Sequence, residues 1–122
     1  RNTPCITELD FTMLVNLANF KNSYHKAPSF PAIVRDLAVI ANEEIRWADI
    51  KGCIVSLKVN YLDEIEFFDV YKGKQVQRDK KSIAFRLIFR ADDRTLRSDE
   101  VDVYQETILE NLKNSLGINL RT

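Results

Sequence analysis

The chain has 122 residues, 45% apolar and 30% charged, with a formal net charge of zero. That composition suits one compact water-soluble domain with a real core. It excludes binding to nucleic acid by bulk charge alone, and no apolar run approaches the roughly 20 residues of a membrane span, so no membrane partner is expected.

In chain order, CITEL (5–9) reads as a short strand and DFTMLVNLANF (10–20) as a short helix with Asp10 as its N-cap. NSYHKAPSFP follows, with Pro28 and Pro31. Proline removes a backbone donor and restrains the residue before it, so this stretch predicts a linker and a domain boundary. Residues 1–26 are accordingly read as the end of a preceding module plus linker, and 27–122 as the domain proper. The opening RNTPCITELD has no apolar core of a signal peptide and no initiating Met, and it reads as cut from a longer chain.

IVRDLAVIA (33–41) is β-branched and apolar, with Leu37, Val39 and Ala41 on one face and Asp36, Ala38 and Ile40 on the other. RWADIKGCIVSLK (46–58) repeats apolar residues at Trp47, Ile50, Ile54 and Leu57, the spacing of a helix with one buried side; Gly52 is a local weakness. LDEIEFFDVYKG (62–73) predicts a second strand. Strict alternation sends Phe68 and Val70 toward the core and Phe67, Asp69 and Tyr71 the other way. A charged loop, GKQVQRDK, leads into KSIAFRLIFR (81–90), where Ile83, Phe85, Leu87 and Phe89 oppose Ser82, Ala84, Arg86, Ile88 and Arg90. Ser98 is the expected N-cap of a second long helix striped by Val101, Tyr104, Ile108, Leu112 and Leu116 and stopped by Gly117. INLR (118–121) closes the chain as a short strand.

From residue 32 the order is strand, helix, strand, strand, helix, strand. This is the α+β ferredoxin-like split βαβ arrangement: an antiparallel sheet with both helices on one face and the other face open. The fold alone hosts many functions.

The candidates for chemistry are few. The only histidine, His25, falls in the linker, and Gly52, Gly73 and Gly117 form no phosphate loop. Cys5 and Cys53 are far apart, fit no metal spacing and read as free thiols of a cytoplasmic protein. No self-contained active site, metal site or cofactor site emerges.

The open face is the alternative. Tyr71 offers a flat stacking surface, Asp69 accepts from a base edge that presents donors, Ser82 can donate or accept, and small Ala38 and Ala84 leave room for a base. The cations of the run 72–90, among them Lys72, Lys81 and Arg86, would hold phosphates. They are Lys72, Lys74, Arg78, Lys80, Lys81, Arg86 and Arg90, against the single acid Asp79, so a neutral chain can still carry a basic face. Residue types leave a second possibility open: a solvated sheet face in which Arg86 pairs with Asp69.

FPAIVRDLAVIANE, LDEIEFFDVYKGK and KKSIAFRLIFRADDRTLRSDEV, in this order, resemble the C-terminal ferredoxin-fold anticodon-binding domain of the phenylalanyl-tRNA synthetases. The shared blocks are P-x-x-x-R-D-L-A, F-D-x-Y-x-G, K-S-x-A-F and R-T-L-x-x-x-E-V, and ITELDFTMLVNL is similar to the segment before that domain in the bacterial β subunit. The hairpin departs from the family: VQRDKKS stands where members often carry L-P-E-G-K-K-S. The resemblance implies a fragment without catalysis of its own, within an α2β2 enzyme that joins phenylalanine to its tRNA using ATP and magnesium. The partners implied are the α subunit and the anticodon stem-loop of the phenylalanine tRNA. Matching motif positions imply that Tyr71 stacks on the first anticodon base, a guanine. They imply that Asp69 and Ser82 hydrogen-bond it and that Ala38 lines the pocket near another base. A ferredoxin-like module that binds protein or a regulatory ligand is the competing expectation.

Overall fold

Phe85 and Phe89 are completely buried on the middle strand of a sheet, and everything else is arranged around them. The computed structural model describes residues 4–19, 21, 27–73 and 76–121. It contains α1 (Phe11–Leu17), β1 (Ile33–Asn42), α2 (Trp47–Ser56), β2 (Leu62–Tyr71), β3 (Lys80–Phe89), α3 (Ser98–Leu116) and β4 (Asn119–Leu120). The strands form one antiparallel sheet in the order β2-β3-β1-β4. This is the ferredoxin-like α+β fold expected from the sequence.

Alternation decides which side faces inward. Leu37, Val39 and Ala41 of β1 and Ile83, Phe85, Leu87 and Phe89 of β3 meet Ile50 and Ile54 of α2 and Val101, Ile108 and Leu112 of α3 in one cluster. Each fully buried large side chain contributes on the order of 1.5–3 kcal/mol relative to exposure. Both helices therefore lie on one face, and the other stays uncovered. Among the described residues, no helix is long and apolar enough to cross a membrane.

Local chemistry sets the ends. Asp10 accepts from Met13 N at 3.0 Å and caps α1. Asp49 accepts from Arg46 N at 2.9 Å at the start of α2. Gly117 takes the left-handed conformation (φ 65) just past α3, and Gly117 N and Ile118 N satisfy the carbonyls of Lys113 and Leu112.

Several details differ from the sequence expectations. CITEL forms no strand: the four strands of the sheet all come from residues 33–120, and residues 5–9 pair with none of them. α1 stops at Leu17, and His25 lies outside the described residues. Ser98 does not cap α3: Arg97 holds that position, and the Ser98 hydroxyl accepts instead from Arg35 Nη2 at 2.6 Å. Arg35 also reaches Asp102 at 2.8 Å, so it ties β1 to α3. Residues 4–19 of the N-terminal segment are exposed, including Ile6, Leu9, Phe11 and Met13.

Candidate nucleic-acid interface

β2 does not alternate strictly. Against β3 its register shifts between Leu62 and Glu64 and again between Phe67 and Asp69, so Asp63 and Phe68 are extra residues. A bulge of this kind sends the residues on its two sides to faces that simple alternation would exchange. Phe67 consequently pairs with Phe85 and packs on Trp47 of α2, ring centroids 5.5 Å apart, on the helix side. Phe68 turns to the open face, where the Arg86 guanidinium lies 4.6 Å from its ring centroid. The expected outward Phe67 and inward Phe68 are thus reversed. Asp69, beyond the bulge, pairs with Ala84, and Tyr71 pairs with Ser82. Ala38 is the partner of Ala84 from the other side, on β1.

Asp69, Tyr71, Ser82, Ala84 and Ala38 therefore lie together on the open face of three adjacent strands. Among the described residues, the Asp69 carboxylate has no hydrogen-bond or ion-pair partner. Tyr71 is 41% exposed. Ser82 is buried at 3%, although no helix covers it.

Arg121, a residue the sequence reading did not single out, reaches Ser82 on this face. Its backbone N–H donates to Ala38 O at 2.8 Å, extending the β1–β4 ladder by one bond. Its Nη1 donates to Ser82 Oγ at 3.4 Å, and its guanidinium carbon stands 5.6 Å from the Tyr71 ring centroid. The signal available in the sequence was alternation in INLR: Ile118 is buried, so Asn119 and Arg121 share a face with each other.

The cations are placed differently from a simple basic face. Arg86 donates to both Asp36 oxygens, at 2.7 and 2.9 Å, and approaches Glu66 at 3.9 Å. The pairing with Asp69 considered from residue types does not form. The bidentate bond holds the Asp36 carboxyl below its ordinary value and raises the Arg86 guanidinium above its own. Lys72 pairs with the Glu43 carboxylate, lowering its pKa, and Lys81 donates to Glu43 O at 2.7 Å. Lys81 stands opposite Ala41, on the helix side of the sheet, so Lys72 and Lys81 meet at the end of β1 and not among the open-face residues. Arg90 pairs with Asp63 at 3.2 Å. Arg78 and Lys80, by contrast, have no ion-pair partner among the described residues. Lys80 lines a hollow of about 260 Å³ with Ile40, Val76, Gln77 and Asn119, where the open face runs into the hairpin.

This arrangement offers a flat ring, a hydroxyl and a small-residue floor within one patch, with a carboxylate there and two cations at its hairpin end that are unpaired among the described residues. Those are the elements that hold an unstacked base and its phosphates.

Residues 28–121 match the family described as the ferredoxin-fold anticodon binding domain. The chain is 37% identical over 116 residues, 95% of its length, to the phenylalanine–tRNA ligase beta subunit of Clostridium tetani. It is 34% identical over all 122 residues to that of Carboxydothermus hydrogenoformans, and 37% identical over 116 residues to that of Staphylococcus saprophyticus. It spans about 15% of the length of these relatives.

Proposed function

The chain belongs to the ferredoxin-fold anticodon binding domain family, and from that premise we propose that its open sheet face binds the anticodon stem-loop of the phenylalanine tRNA. The observation that carries the reading is the register: Tyr71 stands directly opposite Ser82, with Asp69 two residues along and opposite Ala84. Tyr71 stacks on the first anticodon base, Asp69 and Ser82 hydrogen-bond its edge, and Ala38 with Ala84 gives the flat floor beside it. Arg86, its charge shared with Asp36, flanks the bases instead of gripping a phosphate. Arg78 and Lys80 take the phosphates on the hairpin side, while Lys72 and Lys81 stand at the rim, where RNA competes with Glu43 for them.

In the longer protein that the relatives represent, this domain is an RNA-binding appendage of a cytoplasmic α2β2 ligase. The α subunit supplies the aminoacylation chemistry, with ATP and magnesium bound there. The exposed apolar residues of the N-terminal segment, Ile6 to Leu17, pack against the part of the β subunit before them. A domain boundary falls between residues 26 and 27.

The test is a titration of the 122-residue chain with a stem-loop RNA carrying the GAA anticodon, against a hairpin of the same stem and a permuted loop. A preference of tenfold or more for the GAA loop, weakened by salt, supports the reading. Equal binding to both hairpins overturns it and favours a protein- or ligand-binding role for the open face.

A further inference from the structure

Arg121 occupies the place a base would take. It engages the ring of Tyr71 and the hydroxyl of Ser82, the two groups that would stack on and hydrogen-bond an incoming base. A guanidinium can do this because it is planar and rich in donors, like the edge of a base. Ser82, which it contacts, is buried although no helix lies over it.

We infer that Arg121 is a specificity-determining residue of this site: it fills the seat in the unbound protein and yields it only to a ligand that carries a phosphate as well as a base. The inference rests on the base-binding reading above. A free nucleobase or nucleoside must displace the cation from the Tyr71 ring and offers it only neutral acceptors in return. A nucleotide within an RNA strand brings its own phosphates, which accept the displaced guanidinium through charge-assisted bonds. Entry of the base and neutralisation of a phosphate are then one exchange. The anchoring suits it: the backbone of residue 121 stays bonded to Ala38 O while the side chain swings, so the cation is redirected without β4 leaving the sheet.

The experiment compares the wild-type chain with Arg121→Ala and Arg121→Lys, using guanosine and the GAA stem-loop as probes. Removing the occupant should tighten guanosine binding at least tenfold, read from amide shifts. The stem-loop should lose about one unit from the slope of log affinity against log salt, as one phosphate contact disappears. Arg121→Lys keeps the charge without the planar fork, so it should admit guanosine while retaining the salt slope; it also serves if the alanine variant fails to fold. Guanosine affinity unchanged in both variants, or an undiminished slope in Arg121→Ala, overturns the inference. Loss of the wild-type preference for the GAA loop over the permuted loop would instead overturn the base-binding reading itself, so the two failures are distinguishable.

Discussion

Arg86 grips Asp36 with two parallel hydrogen bonds, 2.7 and 2.9 Å long, across β1 and β3 in the middle of the open face. The pair makes this part of the surface electrically quiet. Asp36→Asn would keep the shape and release the full positive charge of Arg86 toward an RNA strand. The expected result is tighter stem-loop binding at low salt, with a log-log salt slope about one unit steeper than wild type. Titrations at three salt concentrations would measure it; an unchanged slope would mean that Arg86 lies outside the footprint of the RNA.

In the proposed reading, Tyr71 stacks on the first anticodon base. Tyr71→Ala should weaken binding to the GAA stem-loop by about 1–3 kcal/mol, the range for losing one stacked base. Tyr71→Phe preserves the ring and should retain most of the affinity. Fluorescence anisotropy with a labelled stem-loop distinguishes the two, and equal loss in both variants would assign the effect to the hydroxyl.

Two glycines should respond in opposite ways. In α2, a Cβ on Gly52 meets nothing within 4 Å, so Gly52→Ala should raise stability by roughly 0.5–1 kcal/mol in denaturant unfolding. Past β2, a Cβ on Gly73 would fall on the hydroxyl end of Tyr71. Gly73→Ala must therefore push that ring out of place. Stem-loop affinity should drop toward that of Tyr71→Ala, while the unfolding midpoint barely moves because the site is exposed.

Acid should weaken the fold through a few identified carboxylates. Asp36, Glu43 and Glu100 all have lowered pKa values, held down by Arg86, Lys72 and Arg94 respectively. A depressed folded-state pKa stabilises above the unfolded value and the gain is lost as pH falls through the folded one. Their contribution should be constant between about pH 7 and pH 5 and disappear below the ordinary values of 3.8 for Asp and 4.5 for Glu. Thermal melts against pH would show a shallower acid limb in Asp36→Asn or Glu100→Gln than in wild type.

Much of the fold was legible because its signals are local. The alternation of Ile83, Phe85, Leu87 and Phe89 and the helical spacing of Ile50 and Ile54 named the core directly. What alternation could not foresee was a second strand one residue longer than its partner between paired positions. The bulge at Phe68 exists only in the pairing with β3, so Phe67 and Phe68 were assigned to each other's faces, while Asp69 and Tyr71, beyond it, were not. Ion pairing was equally non-local. β3 is a central strand with neighbours on both sides, and Arg86 chose Asp36 of β1 over any acid of β2 apart from a distant approach to Glu66. Ser98 was read as a cap because the offer of Arg35, 63 residues earlier, is invisible along the chain. Arg121 meets Ser82 across 39 residues, and no spacing rule reaches that far.

β2 is also one of the two edge strands, with one backbone edge left unpaired among the described residues and with Phe67, Phe68, Val70 and Tyr71 all partly exposed along it. Such an edge invites a second chain to add itself to the sheet. The extra residues Asp63 and Phe68 break its hydrogen-bonding row, and Asp63, Glu64, Glu66 and Asp69 would set like charges against a second copy of the strand. The irregularity that re-aims two aromatic rings therefore also works against edge-to-edge pairing of this strand with a second copy of itself.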